Sequence, residues 1–300
     1  MEINLRNNTC SLPKDIKSIL LMAREFNLSD VHINPDMPVY VRSEGQICVS
    51  DVVFNQKHIT KILSDLEMPA IVYGRLQDEL STDFTYNNNL VGRFRVNVTR
   101  YGDSDCLSIR TIDNIIRTPE ELGFNDSLLN DIKKINNGLI VFTGTTSSGK
   151  STSLNSFLKY AMPKGRHIIT LNNPIEAILD VPGSAVTQLE YGRDFRSFEQ
   201  GVSICMRKDP DIISVAEMRD IGTIKAGILA AETGHLVFAT THTQGVDETI
   251  NRLLGAFSGD DLRYMEMLIK SVLKIVVSQE LVYNEVLGRR ELKYEYKCIG

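Results

Sequence analysis

The sequence predicts an α/β chain in two parts: a smaller α+β domain, then a larger one built on a mainly parallel sheet covered by helices. Three observations carry that prediction. Up to about Ile112, short alternating runs lie between turn signals. From Asn125 onward, short β-rich runs alternate with longer helical ones. A glycine-rich GxxxxGK[ST] pattern also falls between one apolar run and one helical run of the second part. The expected boundaries are 1–112 for the first domain, 113–124 for a linker and 125–300 for the second domain.

The elements of the first part follow in order. DIKSILLMAREF carries Ile16, Ile19, Leu20 and Ala23 at helical spacing. SDVHINPDMPVYVRSEGQICVSDVV reads as strands punctuated by Asn-Pro, Met-Pro and Glu-Gly turns. QKHITKILSDL is a helix, and STDFTYNNNLVGRFRVNVTRYGDSDCLSIRTI holds three alternating runs of an antiparallel sheet. IIRTPEELGF breaks the pattern with a proline and acidic residues, and is read as the linker. The second part then alternates: GLIVFTG, KSTSLNSFLKYAM, HIITL, DFRSFEQGVSICMRK, DIISVAEM, TIKAGILAAE, HLVFATTHT. No internal repeat or low-complexity tract interrupts it.

Bulk properties narrow the function classes. The 300 residues are 42% hydrophobic and 24% charged, with a net charge of −5, so nothing global attracts nucleic acid or anionic lipid. No direct nucleic-acid partner is expected. No apolar run approaches the ~20 residues of a membrane span, and MEINLRNNTC has no apolar core of signal-peptide length. Cys10, Cys48, Cys106, Cys205 and Cys298 are odd in number, far apart and without a CxxC. They read as small buried hydrophobes in a reducing cytoplasm.

The strongest local signal is GLIVFTGTTSSGKST. Gly144, Thr145, Thr146, Ser147, Ser148, Gly149, Lys150 and Ser151 form the GxxxxGK[ST] loop, and Thr152 follows in the helix. Glycines let successive N–H groups turn toward phosphate oxygens, assisted by the helix N-terminus. In such a site Lys150 reaches the β- and γ-phosphates and the Ser151 hydroxyl binds Mg²⁺. A plain Ser/Gly turn is the competing reading, and the flanking strand and helix weigh against it.

Two further strand tips carry polar residues. The apolar run from Asp211 to Val215 ends at Glu217, placed either to hold Mg²⁺ or simply to be solvated. HLVFATTHT ends in Thr240, Thr241, His242 and Thr243. His242 either senses a γ-phosphate and orients water, or merely caps a strand. A third run, His167 to Thr170, runs out into Leu171, Asn172, Asn173 and Pro174. Asn-Pro often starts a turn, yet strand tips of α/β sheets also carry chemistry.

Together these tips resemble the secretion and pilus-motor ATPases of bacteria (type II/type IV secretion traffic ATPases), most like the pilus-retraction (PilT-like) branch. The resemblance runs through nearly the whole chain. LSDVHINPDMPVYVRSEGQI is similar to the family's first strands, and VGRFRVNV and LSIRTI to its arginine-bearing strands. RKDPDIISVAEMRD resembles the Walker B box, AAETGHLVFATTHTQGVDETINRL the His box and VSQELVY the final helix. This implies a RecA-like P-loop NTPase domain preceded by a PAS-like α+β domain, with ATP and Mg²⁺ as cofactors. Glu217 is then the Walker B acid and, with Ser151, a metal ligand; His242 is the His-box residue. Arg95 and Arg110, with Arg93 as a weaker candidate, match arginines presented to nucleotide. On residue chemistry alone they are arginines on the solvent face of a strand. The resemblance further implies a cytoplasmic homohexamer docked on inner-membrane secretion or pilus platform proteins, with nucleotide at the junction of the two domains.

Three departures stand out. Where the family carries Glu-Asp-Pro, this chain has Asn172-Asn173-Pro174, and the expected general base is therefore missing, because an amide accepts no proton. Asn172 and Asn173 are expected at the nucleotide, on a strand tip beside the phosphate loop. Glu176 and Glu217 become the nearby candidates for handling water. Ala216 replaces the usual glycine before the Walker B acid. The chain stops at KYEYKCIG, where retraction motors continue, so the expected role is a type IVB secretion or conjugation-type assembly motor. The alternative is a nucleotide-binding ring subunit that switches conformation with little turnover.

Overall fold

A computed structural model describes residues 3–4, 7–43, 45–112, 115–284 and 289–299. Glu44 of the expected Glu-Gly turn and residues 113–114 of the expected linker lie outside the described residues, as do Gly300 and four residues of the N-terminal stretch. The chain divides into two compact units, Met1–Asn114 and Ile115–Gly300.

The first unit contains β1 (Ile3–Asn4), β2 (Thr9–Cys10), α1 (Ile16–Glu25), β3 (Asp30–Ile33), β4 (Pro38–Ser43) and β5 (Gln46–Val53). It continues with α2 (Gln56–Asp65), α3 (Ala70–Glu79), β6 (Ser81–Asn88), β7 (Gly92–Tyr101) and β8 (Ser104–Thr111). Its sheet order is β1-β2-β5-β4-β3-β8-β7-β6. The run β6-β7-β8 is an antiparallel meander, as its period-two alternation predicts. Phe84, Val96, Val98, Leu107 and Ile109 go to one buried face. On that face they join Ile16, Ile19, Leu20 and Ala23 of α1 in a single core. Asp15 caps α1 by accepting from the Ser18 N–H at 2.9 Å. The opposite face keeps the polar residues of the alternation, among them Asp83, Arg95, Asn97 and Arg110.

The second unit begins with α4 (Pro119–Leu122), α5 (Asp126–Lys133), β9 (Gly138–Thr143), α6 (Lys150–Tyr160), β10 (His167–Asn172) and β11 (Ala185–Glu190). Then come α7 (Phe198–Cys205), β12 (Ile212–Val215), α8 (Ile221–Glu232), β13 (Leu236–Thr241), α9 (Val246–Leu254), α10 (Gly259–Val272), β14 (Leu273–Asn284) and β15 (Arg289–Cys298). The strand order is β11-β10-β12-β13-β9-β14-β15. All neighbours from β11 to β14 are parallel, and β15 returns antiparallel on β14. Strands β9, β12 and β13 are buried along their whole length. That is why they read as continuous apolar runs rather than alternating ones. Leu139, Val141, Ile213 and Val237 face the core shared with α7 to α10. Ile140, Phe142, Ile212 and Phe238 face the core that receives Leu154, Phe157 and Leu158 of α6.

Two expectations are corrected. The stretch read as linker is packed into the second unit: Ile116 and Phe124 are buried in its core. Thr118 and Glu121 form a reciprocal capping box on α4, with Pro119 in the first turn, so the proline and the acidic residues start a helix instead of interrupting one. The segment VSQELVY, expected as a final helix, lies in β14. All seven of its residues pair with β15, and Val277 and Ser278 pair with β9 as well, continuing the β-branched run Ile275-Val276-Val277.

Candidate functional site

The phosphate loop is shaped by its glycines and its neighbours. Gly144 leaves β9 with φ +146°, and a Cβ there would stand 2.1 Å from the Gln279 carbonyl oxygen of β14. Only glycine fits that approach. Ser147 at φ 63° and Gly149 at φ 84° complete the turn into α6. No side chain caps α6, which leaves its first-turn N–H groups available to an anion.

Lys150 is only 7% exposed. Its Nζ donates to the carbonyls of Gly144 at 2.9 Å and Thr145 at 2.8 Å, and lies 3.5 Å from His242 Nδ1. Burial pushes the ammonium's pKa below the ordinary lysine value, against the opposing pull of Glu217.

Because β12, β13 and β9 are neighbours, their tips stand side by side. Glu217, two residues beyond β12, meets His242 Nε2 through Oε1 at 2.5 Å, and the same oxygen takes Arg219 Nε. An ammonium can only donate, so His242 Nδ1 accepts from Lys150, and Nε2–H is left to donate to Glu217. Lys150, His242 and Glu217 thus form one hydrogen-bonded line across three strand tips.

The backbone on both sides of His242 is pinned to the end of β9. Thr143 Oγ1 donates to the Thr243 carbonyl at 2.6 Å and accepts from the Thr243 N–H at 3.1 Å and from Thr241 Oγ1 at 3.0 Å. Thr243 and Thr249 join hydroxyls at 2.8 Å, and Thr249 Oγ1 donates to Gly245 O at 2.7 Å. These hydroxyls place the His242 turn relative to the loop that carries Lys150.

Asn172 sits at the tip of β10, but not beside the phosphate loop. Strands β12 and β13 lie between β10 and β9. That is three strand spacings, roughly 14 Å. Its amide Nδ2 donates to Thr170 Oγ1 at 2.7 Å and to Leu189 O at 3.3 Å, tying β10 to β11. Asn173 is exposed and precedes Pro174 through a cis peptide. Glu176 is exposed between buried Ile175 and Ala177. Glu190, opposite Asn172 in the register with β11, is a buried carboxylate that sequence reasoning missed; its Oε2 accepts from the Ile175 N–H at 3.2 Å.

In the first unit Arg95 and Arg110 face each other across β7 and β8. Arg95 pairs with Asp83 at 3.1 Å, and Arg110 pairs with Asp30 at 2.8 Å. Burial pushes the Asp30 carboxyl up, but Arg110 and Ser29 outweigh it and hold it below the ordinary aspartate value. The Arg110 side chain is 66% exposed, whereas Arg93 is buried.

Beside the loop is a cavity of about 650 Å³, lined by Ser148, Gly149 and Thr152 together with Arg117, Gln279, Leu281 and Arg290. Its size suits a small-molecule ligand. Gln279, Arg117 and Arg219 were not singled out from the sequence. The RD after Glu217 and the Gln in VSQELVY carried no local mark that separates them from ordinary surface residues.

Comparison with known proteins places this arrangement. The sequence model of the family described as "Type II/IV secretion system protein" matches residues 6–291. The "Type IV pilus retractation ATPase PilT" of Pseudomonas aeruginosa is 33% identical over 290 residues, covering 94% of this chain and 81% of the relative. A crystal structure of the pilus retraction motor PilT with bound ADP superposes with a TM-score of 0.88 at 33% identity, over 96% of this chain and 84% of that one. The ATPase DotB of Legionella pneumophila gives 0.86 at 26% identity, over 97% and 84%. The matched fold is an N-terminal domain followed by a RecA-like ATPase domain, as the sequence predicts. The chain belongs to the type II/IV secretion and pilus ATPase family, in its PilT-like branch.

Proposed function

We propose that the protein is the subunit of a cytoplasmic hexameric ring that hydrolyses Mg-ATP and powers type IV secretion, conjugation or pilus assembly through inner-membrane platform proteins. The observation that carries this reading is the line from Lys150 through His242 to Glu217. Lys150 holds the β- and γ-phosphates, and the loop N–H groups from Thr145 to Thr152 cradle them. The cavity beside Gly149 takes the base and sugar. No cluster of three metal-binding side chains occurs among the described residues. A divalent cation would therefore draw on Ser151, Glu217 and the phosphate oxygens together, which suits Mg²⁺. That Mg²⁺ would offset charge on the phosphates. His242 senses the γ-phosphate and passes its presence to Glu217.

Turnover is expected to be slow, because Asn172 supplies no base and Glu176 points to solvent. A positioned general base contributes ~10²–10⁴-fold. The engagement of the Asn172 amide with Leu189 O favours a second reading, a ring subunit that switches on ATP with little turnover. Phosphate release from Mg-ATP separates the two readings.

Arg95 and Arg110 are proposed to offset charge on the transferring phosphoryl group. Arg110→Ala is expected to cut turnover at least ~10-fold, toward the low end of what such arginines contribute. Assembly should be largely kept, since the Arg110 side chain is 66% exposed and the buried Asp30 carboxylate keeps its hydrogen bond from Ser29. Light scattering with and without ATP, beside phosphate release, checks both. A protein that stays monomeric at high concentration with ATP would count against the ring.

A further inference from the structure

Ser278 and Gln279 are consecutive at the stretch of β14 where pairing with β9 ends, Ser278 being opposite Thr143. Consecutive side chains of a strand point to opposite faces, and here each face meets a different loop. Gln279 is buried, and its Nε2 donates to the Ser148 carbonyl at 2.7 Å, across 131 residues of sequence. Its own carbonyl is the atom that Gly144 must avoid. Ser278 Oγ accepts from the Gly245 N–H at 3.0 Å, in the turn that follows His242.

The amide orientation is fixed by chemistry, because reversing it would set two carbonyl oxygens against each other. Gln279 Oε1 and Ser148 Oγ then remain buried without a hydrogen-bonding partner among the described residues. An apolar side chain of the same shape would remove the unpaired Oε1 but leave the buried Ser148 carbonyl without its donor. What the amide uniquely provides is a hold on the main chain of the phosphate loop.

We propose that the tip of β14 is a two-armed positioning bracket. Gln279 sets the main chain of the phosphate loop and with it nucleotide affinity. Ser278 sets the turn after His242 and with it the rate of the chemical step. Neither residue touches the reacting atoms. The proposal rests on the nucleotide reading above.

The test measures Mg-ADP binding by calorimetry and single-turnover phosphate release from labelled ATP, using the full chain. The parent is compared with Gln279→Met and Ser278→Ala. Gln279→Met should raise the Kd for ADP about tenfold, the loss of roughly one hydrogen bond to a charged ligand's cradle, with the ligand-free melting temperature lowered only as far as one unpaired buried carbonyl costs. Ser278→Ala should keep the Kd and lower the single-turnover rate. A purely structural role would lower the melting temperatures without splitting affinity from rate. If Gln279→Met does not fold, Gln279→Leu removes the donor without adding charge and should also weaken binding. ADP affinity unchanged in the Gln279 variant overturns the proposal, as does a Ser278→Ala rate equal to the parent's. A parent that binds ADP without cleaving ATP removes the second arm, and the bracket with it. A parent that binds no ADP overturns the nucleotide reading itself.

Discussion

Lys150→Ala is expected to lose nucleotide affinity by ~100-fold or more. A hydrogen bond to a charged group contributes ~1.5–3 kcal/mol, and a tenfold change in affinity is about 1.4 kcal/mol. The lysine is held ready for the β- and γ-phosphates by two carbonyls of its own loop, those of Gly144 and Thr145. Burial already makes its charge costly, and a neighbouring phosphate relieves that cost where a protein carbonyl does so only in part. The fold should survive, because the loop is shaped by Gly144, Ser147 and Gly149 rather than by the ammonium. Calorimetry with a non-hydrolysable ATP analogue and a melting curve without ligand measure both. A variant that binds as tightly as the parent would remove the phosphate site from the account.

Glu217→Gln should separate binding from turnover. Glutamine keeps an oxygen for the His242 Nε2–H, so the line of strand tips stays in place. The negative charge is lost, and with it the proposed hold on Mg²⁺ and the only carboxylate that touches His242 among the described residues. Turnover is expected to fall by ~10²-fold or more, because a divalent cation held there would supply several kcal/mol of charge stabilisation, with ATP-analogue binding kept. The same charge supports protonation of Lys150 against burial, so its removal should push the lysine pKa further down. Phosphate release and analogue binding on one preparation check the split. Equal turnover in parent and variant would show that Glu217 is a bystander.

How much of this was legible in the sequence depends on how local each feature is. The phosphate loop is a contiguous pattern whose glycine geometry follows from one stretch of chain, and it was readable. So were Glu217 and His242, because each ends a continuous apolar run that can only be a buried strand. The position of Asn172 was misjudged because strand order is not sequence order: the chain visits β10 directly after α6 but inserts β12 and β13 between β10 and β9 later. The pinning of His242 joins Thr143 to Thr243 across 100 residues. No window of the sequence contains that bond. Gln279 was hidden in the same way, and the helix expected for VSQELVY gave its side chain no reason to face the loop. The capping box at Thr118 and Glu121, by contrast, was present in plain sight and was overridden by the proline between them.

The missing base is tested most directly by steady-state phosphate release from the purified protein and from Asn172→Glu, with nucleotide affinity measured alongside. The parent is predicted to hydrolyse Mg-ATP slowly. Asn172→Glu is predicted to raise turnover by at least ~10-fold, below the usual worth of a general base, because residue 172 stands beside the strand that carries Glu217 but three strand spacings from the one that carries the phosphate loop. Affinity should not tighten. Brisk turnover by the parent, unchanged or reduced by Asn172→Glu, would show that another residue activates water and would contradict the account.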